Sequence, residues 1–347
     1  MARLAGWIRE QLDRWVDLVN EAVGDGAAWR AAREAWDRQY EAQRDDFRRL
    51  RMFAGKPREL AGHALVDRRD AEGYIVEEVE GAGGCGLALR CRAEGIDDPV
   101  IVKVPRRWHQ IPGLFLEARL TYRTDIACCT PTYLVDHVRL PGGSARVPCM
   151  VMPYIPGGTL YGRVARQLRN NRLAPPRQVA QWGVQIARAL QGLDVVHRDL
   201  KPENILLDRE YRAVVADFGL GLPGGRRGAA SQMARRAFGY TQPGDALSTP
   251  GTPGYMSPEQ SMKGTAHVVD MRSDIYALGL LLYEAATGHA AYAYDQQMSA
   301  QYFVLHCAKT DADLSRLPGN SPLREVIATC LERHMSLRYQ NWDELIG

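Results

Sequence analysis

Residues 195–204 read Val195-Val196-His197-Arg198-Asp199-Leu200-Lys201-Pro202-Glu203-Asn204, and no other stretch restricts the chain so tightly. Asp199 can accept a proton from a hydroxyl. Lys201, two residues on, can neutralise phosphoryl oxygens, and Asn204, five residues on, can offer an amide oxygen to a divalent cation. An acid, an ammonium and an amide at these spacings suit the movement of a phosphoryl group.

Further runs surround this one in a fixed order. Gly81-Ala82-Gly83-Gly84-Cys85-Gly86 lies between two strand-like segments. Alone, that spacing also opens nucleotide-binding βαβ units, but there a helix follows and here the pattern is again a strand. Lys103 ends Val100-Ile101-Val102-Lys103, and Glu117 is the only glutamate between Lys103 and Glu203. Asp217-Phe218-Gly219 comes thirteen residues after Asn204. Gly251-Thr252-Pro253-Gly254-Tyr255-Met256-Ser257-Pro258-Glu259 and Ser273-Asp274-Ile275-Tyr276-Ala277-Leu278-Gly279 complete the series.

Taken together these runs resemble the motifs of the protein kinases, over about residues 74 to 346. The resemblance implies an α+β bilobal fold. A small lobe at 74–152 would hold an antiparallel sheet and one helix; the hinge and a mainly helical lobe would occupy 153–347. It also implies the roles. Gly81, Ala82, Gly83, Gly84, Cys85 and Gly86 form a flap over the phosphates of ATP, where side chains would keep the amides away. Lys103 pairs with the α- and β-phosphates, and Glu117, on a short helix, holds it in place. Asp199 and Lys201 act on the acceptor hydroxyl and the moving phosphoryl group. Asn204 and Asp217 bind Mg²⁺, or Mn²⁺ in its stead.

Met150–Leu160 is similar to the hinge that holds adenine through backbone groups. Met152 guards the back pocket, Pro153 offers a carbonyl and Ile155 an amide. Pro153 replaces a residue that is commonly acidic; its missing N–H is not needed at that position. By the same resemblance Asp274 braces the His197 and Arg198 backbone. Arg338 is either the buried partner of Glu259 or a surface charge. Ser257 stands where alanine is usual, and the segment before Val195 is several residues short, which leaves the end of its helix open.

Lys201 and Gly251-Thr252 imply a serine/threonine kinase rather than a tyrosine kinase. Arg198 beside the catalytic aspartate implies control by phosphorylation of the activation segment, since a guanidinium suits a phosphate. Ser248, Thr249 and Thr252 are the regulatory candidates there, in a long stretch that carries Arg226, Arg227, Arg235 and Arg236. Glu203 would favour basic residues upstream of the target hydroxyl. Two other readings stand beside this one: a silent pseudokinase scaffold, or a kinase-fold enzyme that acts on a small molecule or transfers AMP.

Composition narrows the setting. A net charge of +3 in 347 residues argues against nucleic acid as a partner, and only five of the 44 basic residues are lysine. Seven cysteines form no CxxC pair, which fits a reducing cytoplasm. The first ten residues contain charges and no apolar signal core, and the longest apolar run, Ile275 to Tyr283, is about half of what a membrane span needs. In residues 1–53, Leu4, Ile8, Leu12, Trp15, Val19 and Val23 recur at helical spacing. Gly24-Asp25-Gly26 interrupts, and a second stripe runs through Trp29, Ala32, Trp36, Tyr40, Phe47 and Leu50. This predicts a helical hairpin that packs on its neighbours or serves as a homodimer or docking surface. Residues 54–73 read as a polar link.

Overall fold

The computed structural model describes residues 64–65, 73–83, 86–93, 95–106, 110–122, 124, 126–139, 146–219, 222–223, 252–261, 269–292 and 300–347. The helical hairpin expected at 1–53, the flap tip Gly84-Cys85, and the candidates Ser248 and Thr249 with their arginine-rich surroundings lie outside the described residues. The described chain forms two compact units, divided after Tyr154, with residues 126–130 belonging to the second.

The first unit is a six-stranded sheet with one helix. Its strands are β1 (Ala64–Leu65), β2 (Tyr74–Gly83), β3 (Gly86–Ala93), β4 (Ile96–Val104), β5 (Leu134–Arg139) and β6 (Arg146–Pro153). They lie in the order β1-β2-β3-β4-β6-β5, and each pairing is antiparallel. Two details depart from the sequence reading. Ala64–Leu65, within the expected link, pairs with Tyr74 and Ile75 because Leu65 is apolar enough to bury completely. β4 starts before the Val100-Ile101-Val102-Lys103 run, so Pro99 falls inside it, where the register with β3 shifts between Cys91 and Ala93. An irregular ladder tolerates a residue that has no N–H to donate.

Alternation along β6 decides where the helix packs. Val147, Cys149 and Val151 enter one apolar cluster with Leu87, Leu89 and Val102 from β3 and β4. Met150 and Met152 point the other way and pack with Leu114 and Ala118 of α1 (Ile111–Thr121). Successive strand residues face opposite sides, so the register pairs Ile101↔Met152 and Lys103↔Met150 bring Lys103 to the face that α1 covers.

The second unit is mainly helical. It contains α2 (Leu160–Arg169), α3 (Pro176–Leu193), α4 (Pro258–Ser261), α5 (Met271–Thr287), α6 (Ala300–Lys309), α7 (Pro322–Cys330) and α8 (Trp342–Ile346). Val179, Trp182, Ile186, Ala187 and Leu190 give α3 one buried stripe, as its 3.6-residue period requires. Its end, left open by the sequence, is set by Asp194 in the left-handed conformation, φ 49°. Helix α5 is buried on nearly every side and forms the centre of this unit. Two small antiparallel pairs carry the loops that matter. β7 (Val195–Val196) pairs with β10 (Leu222–Pro223), and β8 (Ile205–Leu207) pairs with β9 (Ala213–Val215).

Candidate active site

In the first unit, β2 and β3 meet at Gly83↔Gly86. Gly86 has φ +131°, and a Cβ there would lie 2.4 Å from the Val104 carbonyl oxygen, so the strand approach excludes any side chain. Lys103 Nζ lies 2.6 Å from Glu117 Oε2, with the two residues 9% and 2% exposed. Glu117 shares its helix face with Leu114, Ala118 and Thr121, which turns the carboxylate inward. Two buried opposite charges at this distance hold each other, and each would be costly alone. Met152 and Pro153 end β6, with Pro153 opposite Val100. The Tyr154 N–H donates to the Pro99 carbonyl, and Ile155 opens the second unit.

In the second unit, the loop between β7 and β8 is fixed from beneath by α5. Asp274 accepts the backbone N–H of His197 at 2.6 Å and that of Arg198 at 2.8 Å. Burial drives the Asp274 carboxyl up to about 6, against the opposing pull of His197 and the two amides. The loop then presents three side chains together. Thr252 Oγ1 donates to Asp199 Oδ1 at 2.7 Å and accepts from Lys201 Nζ at 2.7 Å, while Lys201 Nζ lies 3.1 Å from Asp199 Oδ2. Asn204 directs its NH₂ at the Asp199 carbonyl, 2.8 Å, and at Asp199 Oδ2, 3.3 Å. Both amide protons are thus engaged, and the amide oxygen remains for a cation.

Asp217 is brought to this loop by backbone bonds. β9 is paired with β8, and the Ala216 N–H donates to the Asn204 carbonyl at 2.9 Å. The His197 ring bonds the Ala216 carbonyl at 3.2 Å and packs on the buried Phe218 ring, with centroids 5.0 Å apart. Asp217 itself has φ +64°. No cluster of three or more His, Cys, Asp or Glu suited to a metal exists among the described residues. One amide and one carboxylate oxygen nevertheless fit Mg²⁺, which takes few protein ligands and keeps water or phosphate oxygens for the rest.

A model of the protein kinase domain family matches residues 74–345. The chain belongs to that family. Serine/threonine-protein kinase PknL of Mycobacterium tuberculosis is 33% identical over 306 residues, which is 83% of this chain and 66% of PknL. PknB of Mycolicibacterium smegmatis is 29% identical over 285 residues, 78% of this chain and 41% of PknB. AfsK of Streptomyces griseus is 31% identical over 257 residues, 73% of this chain and 28% of AfsK. The chain therefore spans two thirds or less of the relatives it matches. Its fold, a sheet unit with one helix followed by a helical unit, is that of the kinase domain.

Some placements were not legible beforehand. Thr252, expected among the regulatory positions, has its hydroxyl on Asp199 and Lys201. Arg338 resolves as a buried residue: its guanidinium takes Glu259 at 2.8 and 2.9 Å, and Ser273 Oγ donates to the same carboxylate at 2.6 Å. Tyr255 donates its hydroxyl to Glu284, and Gln260 reaches the Arg198 carbonyl. Ser257 and Gln260 did leave a signal, since S-x-x-Q is the capping-box pattern.

Proposed function

We propose that this kinase transfers the γ-phosphoryl group of ATP to serine and threonine hydroxyls of proteins. The observation that carries the reading is the hydrogen-bonded set of Asp199, Lys201 and Asn204 on the loop between β7 and β8, joined by Thr252 from a later segment. Asp199 orients the acceptor hydroxyl and takes its proton as the O–P bond forms and the bond to ADP breaks. Lys201 neutralises the phosphoryl oxygens during transfer, where a fixed charge counts most. Lys103, held by Glu117, pairs with the α- and β-phosphates, under the flap of residues 81–86. Met152, Pro153 and Ile155 meet the adenine. Asn204 and Asp217 hold Mg²⁺, or Mn²⁺, which when bound supplies further charge neutralisation on the phosphates.

Support for serine and threonine as acceptors comes from Lys201 and from the names of the relatives. Glu203, beside the catalytic residues in sequence, favours basic residues upstream of the target hydroxyl. The six cysteines among the described residues form no disulfide, which supports a reducing, cytoplasmic setting. No helix among the described residues is long and apolar enough to cross a membrane. The chain is also read as a phosphoprotein, modified at Ser248 or Thr249 and sensed by Arg198, with residues 1–53 as a dimer or docking surface.

Labelled ATP tests the activity. γ-Label on protein supports this reading; α-label on protein would indicate AMP transfer, and label on neither a scaffold. Asp199→Asn should abolish transfer and leave nucleotide binding within about threefold of the parent.

A further inference from the structure

Arg198 immediately precedes Asp199 and has φ +68°, a left-handed conformation that any residue with a Cβ adopts only under constraint. Its peptide is gripped on both sides. The N–H is held by Asp274 Oδ1 at 2.8 Å, and the C=O by Nε2 of Gln260 at 3.0 Å. Gln260 is 3% exposed, on the short helix α4. Its Oε1 accepts from both the N–H and the Oγ of Ser257, each at 3.1 Å. Two donors on the oxygen leave the amide only one sensible orientation, with NH₂ toward Arg198.

The distinction lies in what each end of this amide does. In a capping box, the residue three positions on reaches back to the N–H of the cap, and glutamate serves there as well as glutamine. A carboxylate has no proton for Arg198, however, and would set negative charge against its carbonyl oxygen. Gln260 therefore does more than the local helix asks.

We propose that Gln260 is a positioning residue for phosphoryl transfer: with Asp274, it locks the constrained Arg198 peptide that aims the Asp199 carboxylate at the acceptor. This rests on the phosphoryl-transfer reading above. It assigns the Gln260 amide a role that the capping geometry alone does not supply. Small errors in aiming a proton acceptor lower turnover far more than they lower nucleotide affinity.

The full chain, Gln260→Glu and Gln260→Met are compared in four measurements: kcat and KM for ATP from γ-label transfer, melting temperature, and amide hydrogen exchange over residues 198–201. Gln260→Glu is expected to melt within about 3 °C of the parent. It should keep KM within about twofold, lose at least about tenfold in kcat, and exchange faster in that stretch. Gln260→Met should lose kcat similarly and melt lower, because it also loses the cap. Parental kcat and parental exchange in folded Gln260→Glu would overturn the proposal. So would unfolding of both variants, which would make the residue structural only. If the parent itself transferred no γ-phosphate, the activity reading would fall, and the exchange data would still decide whether Gln260 holds the Arg198 peptide.

Discussion

The Thr252 hydroxyl is 2.7 Å from Asp199 Oδ1 and 2.7 Å from Lys201 Nζ, donating to the first and accepting from the second. One side chain from the segment after residue 251 thus closes a ring with the loop that carries Asp199. Hydroxyl geometry permits both bonds at once, and no apolar residue of the same size can make either. Thr252→Val should lower kcat about tenfold to a hundredfold, in line with misplacement of a reacting group. Thr252→Ser should stay within about threefold of the parent. Steady-state transfer of γ-label to a protein acceptor measures both, and equal rates for the valine variant and the parent would contradict the assigned role.

Lys103 and Glu117 form a buried pair, so removing one charge takes away the other's buried counter-charge. Glu117→Gln should cost roughly 3–5 kcal/mol of stability if the lysine stays charged. It should also reduce transfer, because the ammonium loses its fixed position. Lys103→Met should reduce transfer further and destabilise less if Glu117 takes up a proton. Thermal unfolding alongside the transfer assay separates the two effects.

The pair Glu259–Arg338 predicts how acid acts on this unit. Burial alone would raise the Glu259 carboxyl, but the bidentate Arg338 bond and Ser273 more than reverse this and hold it below its ordinary range. A carboxyl depressed by folding binds its proton more readily in the unfolded chain. Its contribution is therefore present above about pH 4.5 and is lost as pH falls below that value. Glu259→Gln should melt lower at neutral pH and lose less stability between about pH 5 and pH 3 than the parent does. Melting curves across that range check the sign.

Gly279 sits in α5 where a Cβ would lie 2.7 Å from Cys330 Cβ and 3.0 Å from Leu331. Alanine favours a helix intrinsically, but here overpacking prevails. Gly279→Ala should destabilise by about 1–3 kcal/mol with little change in KM for ATP. A variant as stable as the parent would show that α7 can shift to make room.

Much of the site was readable because its chemistry is local. Asp199, Lys201 and Asn204 fall within six residues, and short backbone spans leave them few relative positions. The family resemblance calls for a carboxylate to hold Lys103, and Glu117 fits it because no other glutamate lies between Lys103 and Glu203. The two-residue period of β4 and β6, together with the helical period of α1, then puts both on one buried face. The short strand at Ala64–Leu65 was hidden by its length, since two residues show no period.

By itself, the sequence determined the family, the sheet-then-helix fold that the resemblance implies, and the residue types that phosphoryl transfer requires. These follow from motifs that are local in the chain, where neighbouring residues fix the spacing of the chemical groups. Only the tertiary structure decided that Thr252 belongs with Asp199, that Arg338 is buried on Glu259, and that Gln260 grips Arg198. Those partners are 53, 79 and 62 residues apart. At such separations nothing local fixes which polar groups meet; burial does, because each desolvated donor or acceptor must find a partner that the fold has brought within reach.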